Sequence, residues 1–277
     1  MRWIAGTTIL VGCTLLAGLP AASGADAFAL LPDDAETLVG VDLASVRNAP
    51  IYQRMGAGMR GALDGYIGGM GSPMGLDLER DVHRITVGYR GEASDRLHSL
   101  AVVEGDLSGL MRTDRFESYF AVAAKRGDHT LYETKKHIGP TPIVFAFLDE
   151  TTALVGAREA VTEGLDRYDE SLTGRSARSL ALQEAARGLA NEGQTWMVTD
   201  APSMGSAAAG MTGGIASLLG SLNRVTMAAN MLDGLDLAIR GRCDTVENAA
   251  AMVKGAQALL FVMRAGNTAA HPEVSQA

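Results

Sequence analysis

The sequence predicts an α+β fold: antiparallel hairpins with helices packed on one face, in two loosely repeated units. Three observations carry this. Short β-branched runs come in pairs joined by loops of turn-forming residues, the mark of antiparallel hairpins. Longer stretches with helical spacing separate the pairs. The order strand, Gly/Met-rich helix, hairpin, helix occurs over 36–126 and again over 195–264.

The elements follow in turn. Residues 36–43 (ETLVGVDL) make a strand that ends at Asp42, and a helix is expected from Asn48 to about Gly69. Residues 83–90 and 97–104 flank the loop 91–96 as a hairpin. If opposed numbers sum to 187, Ile85, Val87 and Tyr89 face Val102, Leu100 and His98, and His83 faces Glu104. That register leaves Arg84, Thr86, Gly88 and Arg90 on a wet face. A helix is expected over 113–126, a strand over 130–134, and a hairpin from 143–148 and 151–157 around Asp149-Glu150. Helices follow at 158–169 and 176–191, then a strand at 195–200 and a Gly/Ala/Met segment at 203–222.

The last hairpin pairs 225–230 with 235–242 around Leu232-Asp-Gly234. Its register sets Met231, Ala229, Met227 and Val225 against Leu235, Leu237, Ile239 and Gly241. Cys243 continues that apolar face, so a buried, inert thiol is expected. An Ala-rich helix from Val246 to Arg264 closes the pattern, with Asp244 and Thr245 as capping candidates. The predicted division is a signal peptide over 1–25, a first α+β unit over 26–175 and a second over 176–277. The second is either incomplete or shares a sheet with the first.

Composition narrows the function classes. Of 277 residues, 47% are hydrophobic and 20% charged, which is globular, and the net charge is -8. Nucleic-acid binding needs a clustered basic face. The densest basic run, Lys135-Lys136-His137, is too short to make one.

The amino terminus reads as a targeting segment, with Arg2 before an uncharged apolar stretch and Pro20 before small residues. Cleavage after Gly24 or Ala25 fits the small-x-small rule. Leu10-Val11-Gly12-Cys13 also matches a lipobox, with Cys13 as the lipidated residue. The apolar block Leu15–Leu19 stands where a lipoprotein has a polar linker, so the cleaved, unanchored form is the expected one. The membrane is then met only through the signal segment, or through a lipid on Cys13. Removal of Cys13 leaves Cys243 without a disulfide partner.

Leu31-Pro-Asp-Asp-Ala35 before the first strand and Ala49-Pro-Ile-Tyr52 after it resemble the opening of uncharacterised exported proteins of environmental bacteria. Residues 75–82 (GLDLERDV) and 243–249 (CDTVENA) fit the same pattern. The resemblance implies export. It transfers no catalytic residue, since that family has none assigned. Its members often run on past a Pro-Glu like Pro272-Glu273 into further strands, which bears on the second unit.

Candidate chemistry is sparse. A facing His83 and Glu104 would suit general-base work, the carboxylate fixing the imidazole tautomer. Ser108 is near in sequence but lacks a nucleophile-elbow context. The plainer reading is a satisfied polar pair at a sheet edge. Asp42, Asp106 and Asp200 each end a strand and could converge on a cation, but helix capping explains them more simply. Met55 and Met59, and Met70 and Met74, fall four apart as thioethers for Cu(I) would. Like Met204, Met211, Met227 and Met231, they equally suit core packing. No zinc or nucleotide motif is present, and no cofactor is expected. Three functions follow: non-catalytic binding or scaffolding of an envelope protein or ligand, a hydrolase using His83 and Glu104, or a carrier of an apolar molecule between the Gly/Met-rich helices.

Overall fold

The computed structural model describes residues 26–54, 80–90, 99–110, 114–135, 142–169, 175–200, 222–243, 245–254 and 257. Cys13, the methionines at 55, 59, 70, 74, 204 and 211, and most of both Gly/Met-rich segments lie outside them.

Among the described residues, ten strands form one antiparallel sheet. They are β1 Thr37–Asp42, β2 Val82–Tyr89, β3 Ser99–Gly105, β4 Phe120–Arg126 and β5 His129–Thr134. Then come β6 Val144–Phe147, β7 Thr152–Gly156, β8 Thr195–Asp200, β9 Leu222–Asn230 and β10 Asp236–Cys243. Across the sheet the order is β10-β9-β8-β1-β2-β3-β7-β6-β5-β4. The helices are α1 Ala27–Leu30, α2 Leu43–Asn48, α3 Pro50–Arg54, α4 Asp114–Tyr119, α5 Arg158–Asp169 and α6 Ala177–Ala190, with α7 at 246–254. The predicted α+β class is the observed one. The seam between the two strand groups is the antiparallel pair β1–β8, with Val39 opposite Met197.

One face of the sheet is sealed. Leu38, Leu100, Val102, Leu154, Trp196 and Val198 point to it, under Val161 and Leu165 of α5 and Leu182, Ala186 and Leu189 of α6. Residues 26–36 lie in this same layer, and Leu30 and Leu31 have no exposed surface at all. Arginines hold that segment in place. Arg167 donates to the Leu30 carbonyl at 3.0 Å and Arg175 to the Phe28 carbonyl at 3.2 Å. Arg90 pairs with both Asp34 and Glu163, and Arg187 pairs with Asp26 while lying 5.0 Å over the Phe28 ring. A planar guanidinium can serve a carbonyl, a carboxylate and a ring at once, which an ammonium does less well.

Four expectations need correction. The helix forecast from Asn48 starts earlier, at Leu43, because Asp42 accepts the Ser45 N–H at 2.8 Å and caps α2. It breaks at Ala49, held extended (φ -66, ψ 133) by the following Pro50. The helix forecast over 113–126 ends at Tyr119, and Phe120–Arg126 is strand β4. Ala121, Ala123 and Ala124 read as helical, but Gly127 takes φ +55 and turns the chain into a hairpin with β5.

The register of the β2–β3 hairpin is the third. Paired numbers sum to 188, as in Ile85–Val103 and Val87–Ala101, because a bulge between Val82 and Arg84 adds one residue. The fourth concerns burial. Thr86 and Gly88, expected to be wet, are buried on the helix-covered face, while Ile85, Val87 and Tyr89 are half-buried on the other. Gly88 fits there because a Cβ would stand 3.1 Å from Pro32. By contrast, the β9–β10 register follows the sequence reading, with Ala229–Leu237, Met227–Ile239 and Val225–Gly241 opposed.

The second face has its own core at one end. Phe116 of α4 packs on Phe120, Tyr132, Phe145 and Phe147, with ring centroids 4.7 to 5.9 Å apart.

Candidate functional site

The bulge decides the fate of the His83–Glu104 pair. Arg84, not His83, stands opposite Glu104, and His83 is the extra residue, exposed to solvent. On the sealed face, Arg84 lies between Asp42 and Glu104 on the flanking strands, at 3.8 and 3.9 Å. These are ion-pair distances, too long for hydrogen bonds. Glu104 Oε2 is buried and makes none. Burial pushes the Glu104 carboxyl above its ordinary range, with Arg84 pulling it back and Asp42 pushing the same way as burial.

A pH dependence follows. Folding favours the protonated form of Glu104, so its contribution is fully present below the unfolded glutamate value of about 4.3. It is lost as pH rises through the raised folded value. Glu104→Gln is therefore expected to be more stable than wild type at neutral pH by about 1 kcal/mol. The gain should close toward acid, as read by urea denaturation across pH. Equal stabilisation at all pH values would contradict the assignment.

The three strand-end aspartates occupy separate places. Asp42 caps α2. Asp106 accepts the Ser108 hydroxyl at 2.7 Å and its N–H at 3.3 Å, contacts that hold its carboxyl below the usual range. Asp200 is at the other end of the central strands, held by Arg224 at 2.8 Å and Arg178 at 3.2 Å. Among the described residues no group of three His, Cys, Asp or Glu side chains is placed to hold a metal.

Among the described residues, His129 makes a carboxylate contact. His129 Nε2 lies 3.4 Å from Asp169, and Nδ1 lies 3.2 Å from the Phe147 carbonyl. Both ring nitrogens are engaged, so the residue ties β5 to the end of α5. No spacing in the sequence announces it. Cys243, expected to be buried, is half-buried and lies past a register shift in β10.

What stands out is a row that sequence reading missed. The ladder partners on the second face run Ile239, Met227, Met197, Val39, Val87, Ala101, Val155, Phe145, Tyr132 and Val122. Every strand contributes one residue, and nine of the ten side chains are wholly apolar, with Tyr132 the exception. An antiparallel sheet with one face on its core ordinarily turns polar residues outward on the other. Phe145 is sealed by the aromatic cluster, but Val39, Val87, Met197 and Met227 are only half-buried. Leu237 and Ile239 are 52% and 63% exposed.

Among the described residues, fold and site together define an α+β protein whose antiparallel sheet is covered by helices on one face and carries an apolar row across the other. No protein-family model matches the chain, and no curated protein matches it. It is similar to solved structures of TP0453. Crystal form I has TM-score 0.40 and 9% identity, covering 75% of this chain and 74% of that one. Crystal form IV has TM-score 0.41 and 8% identity, covering 75% and 76%. Among the described residues no helix is long and apolar enough to cross a membrane.

Proposed function

We propose that this chain is an exported, non-catalytic binding or scaffolding protein of the periplasm or cell envelope, and that it binds through the second face of its sheet. The carrying observation is the apolar row from Val87 to Ile239, half-buried and then exposed. Contiguous apolar surface of this kind on a globular protein marks an interaction site. Export rests on the amino-terminal segment and on the resemblance stated above.

Two measurements test this reading. A photo-cross-linking residue at Met197 or Met227 is expected to give discrete protein adducts in living cells, whereas one at exposed Glu184 on α6 gives none. The mass of the mature amino terminus is expected to correspond to a start at Ala25 or Asp26. A diacylated Cys13 would replace the free form with a lipid-anchored one. Absence of adducts from both methionines, together with hydrolysis of a substrate panel that His83→Ala and Glu104→Gln abolish, would replace binding by the hydrolase.

A carrier that holds an apolar molecule on this row, and not between the Gly/Met-rich segments as the sequence suggests, is a second reading, since methionines line adaptable apolar sites. Native mass spectrometry showing a co-purified apolar small molecule, displaced by Met227→Lys, would favour it.

A further inference from the structure

The free edge of the sheet at β10 carries an inference of a different kind. Each sheet edge presents unpaired N–H and C=O groups, and proteins guard such edges with bulges, lysines or prolines. The β4 edge is guarded. It has a register irregularity between Val122 and Ala124, and it carries Lys125 and Arg126, the latter ion-paired with Asp166 at 2.6 Å. The β10 edge is regular over Asp236–Arg242, its first irregularity falling between Arg242 and Cys243. It contains no proline or lysine, and its charged residues are Asp236, Arg240 and Arg242, of both signs. Among the described residues no strand pairs with its outer side.

We infer that β10 pairs antiparallel with β10 of a second copy of this chain, across a two-fold axis at Ile239. Opposed residues of an antiparallel pair must turn their backbone groups the same way. The axis must then fall on a residue, not between two. Ile239 is the midpoint of the regular span 236–242, so this register pairs all of it. Asp236 then faces Arg242 of the second copy, twice. Arg240, already paired with Glu192 at 2.6 Å, faces Ala238, so no two like charges are opposed. Ile239 meets Ile239, and Leu237 meets Gly241, which leaves room for it. An axis at Arg240 would oppose the two Arg240 side chains, and one at Ala238 would pair only 236–240 of the strand.

The strand order supports the same occupant. Strands β8, β9 and β10 repeat the order strand, long connection, hairpin of β1, β2 and β3. In that correspondence β10 holds the place of β3, whose outer edge carries an antiparallel strand, β7.

The test uses the full-length protein purified from expressing cells. Light scattering is expected to show twice the mass of the processed chain. In a Cys243→Ser background, an equimolar mixture of Ala238→Cys and Arg240→Cys is expected to form an intermolecular disulfide, because 238 and 240 are then directly opposed as a closely spaced, non-hydrogen-bonded pair. Ala238→Cys alone should not, its copies being diagonal. Asp236→Arg or Arg242→Asp alone should weaken the dimer by roughly tenfold or more. An equimolar mixture of the two should restore it, because each mutant strand complements the other at both ends. A wild-type monomer at the highest attainable concentration overturns the proposal. So does a dimer that ignores both charge reversals and forms no disulfide between positions 238 and 240. Neither result touches the cross-linking from Met197 and Met227, so the binding face and the dimer edge fail separately.

Discussion

Leu30→Ala is expected to lower the unfolding free energy by roughly 3–4 kcal/mol, although residue 30 lies only five positions after Ala25. Residues this near the proposed cleavage point would ordinarily be loose. Here Leu30 is fully buried with Leu31, Leu165 and Val161, and Ala27 and Ala35 flank it in the same cluster. Truncation would leave a cavity that cannot collapse readily, because the segment is fixed on both sides. Arg167 holds its carbonyl, and α5 stays against the sheet through Gly164, where a Cβ would stand only 2.8 Å from Leu154. Set against a total stability of roughly 5–15 kcal/mol, the loss is large. Denaturant melts of the variant, with Leu180→Ala as a half-exposed control on α6, measure it. A loss below about 1 kcal/mol would mean that the first residues of the described chain are an accessory and not part of the core. A cut at Ala25 or Asp26 preserves every buried residue of this segment, whereas one a few residues later would remove Ala27 and Ala29.

How far the fold was legible depends on whether local chemistry or long-range pairing sets each feature. The β9–β10 register could be read because alternation and the Leu232-Asp-Gly234 turn agree, with Gly234 at φ +142. Helices α5 and α6 could be read from their spacing, and Ser176 caps α6 as its residue type suggests. The β2–β3 register slipped by one because nothing local marks His83 as a bulge. Beside it, Gly105 passes so close to Asp81 that a Cβ there would stand 1.9 Å from the Asp81 carbonyl oxygen. The one extra residue of the bulge separates His83 from Glu104 and puts Arg84 in its place. The wet face of β2 was misjudged because Thr86 and Gly88 look polar or small, while the residues that bury them, Pro32 and Leu38 among them, come from elsewhere. The apolar row could not be seen at all. Val39 and Met197 become neighbours only when β1 meets β8, and no turn or spacing encodes that meeting. The arginine clasp is similar: arginine supplies 20 of the 24 basic residues (24 less four lysines), a bias visible in the sequence without its purpose.

The β1–β8 seam is also where a small substitution should cost most for its size. Gly40 pairs with Trp196 across it, and a Cβ on residue 40 would stand 2.2 Å from the indole carbons. The indole lies over the glycine and stacks on Phe28, 5.7 Å away, which in turn is covered by Arg187. A methyl group at 40 therefore has to displace a ring that is itself held by the amino-terminal segment and α6. Gly40→Ala is expected to cost about 2–3 kcal/mol through overpacking, despite the usual gain from replacing a strand glycine. The readout is direct. The chain has two tryptophans, Trp3 and Trp196, and cleavage at the proposed site would leave Trp196 alone. Its emission should shift to the red as the ring is pushed toward water, in step with the lower melting temperature. Trp196→Leu is destabilising by itself, since it empties the same space. Combined with Gly40→Ala, it should cost clearly less than the two losses added, because the methyl then enters a cavity instead of a ring. Simple additivity would mean that the indole is not what excludes a side chain from position 40, and that the seam is closed by something other than this pair.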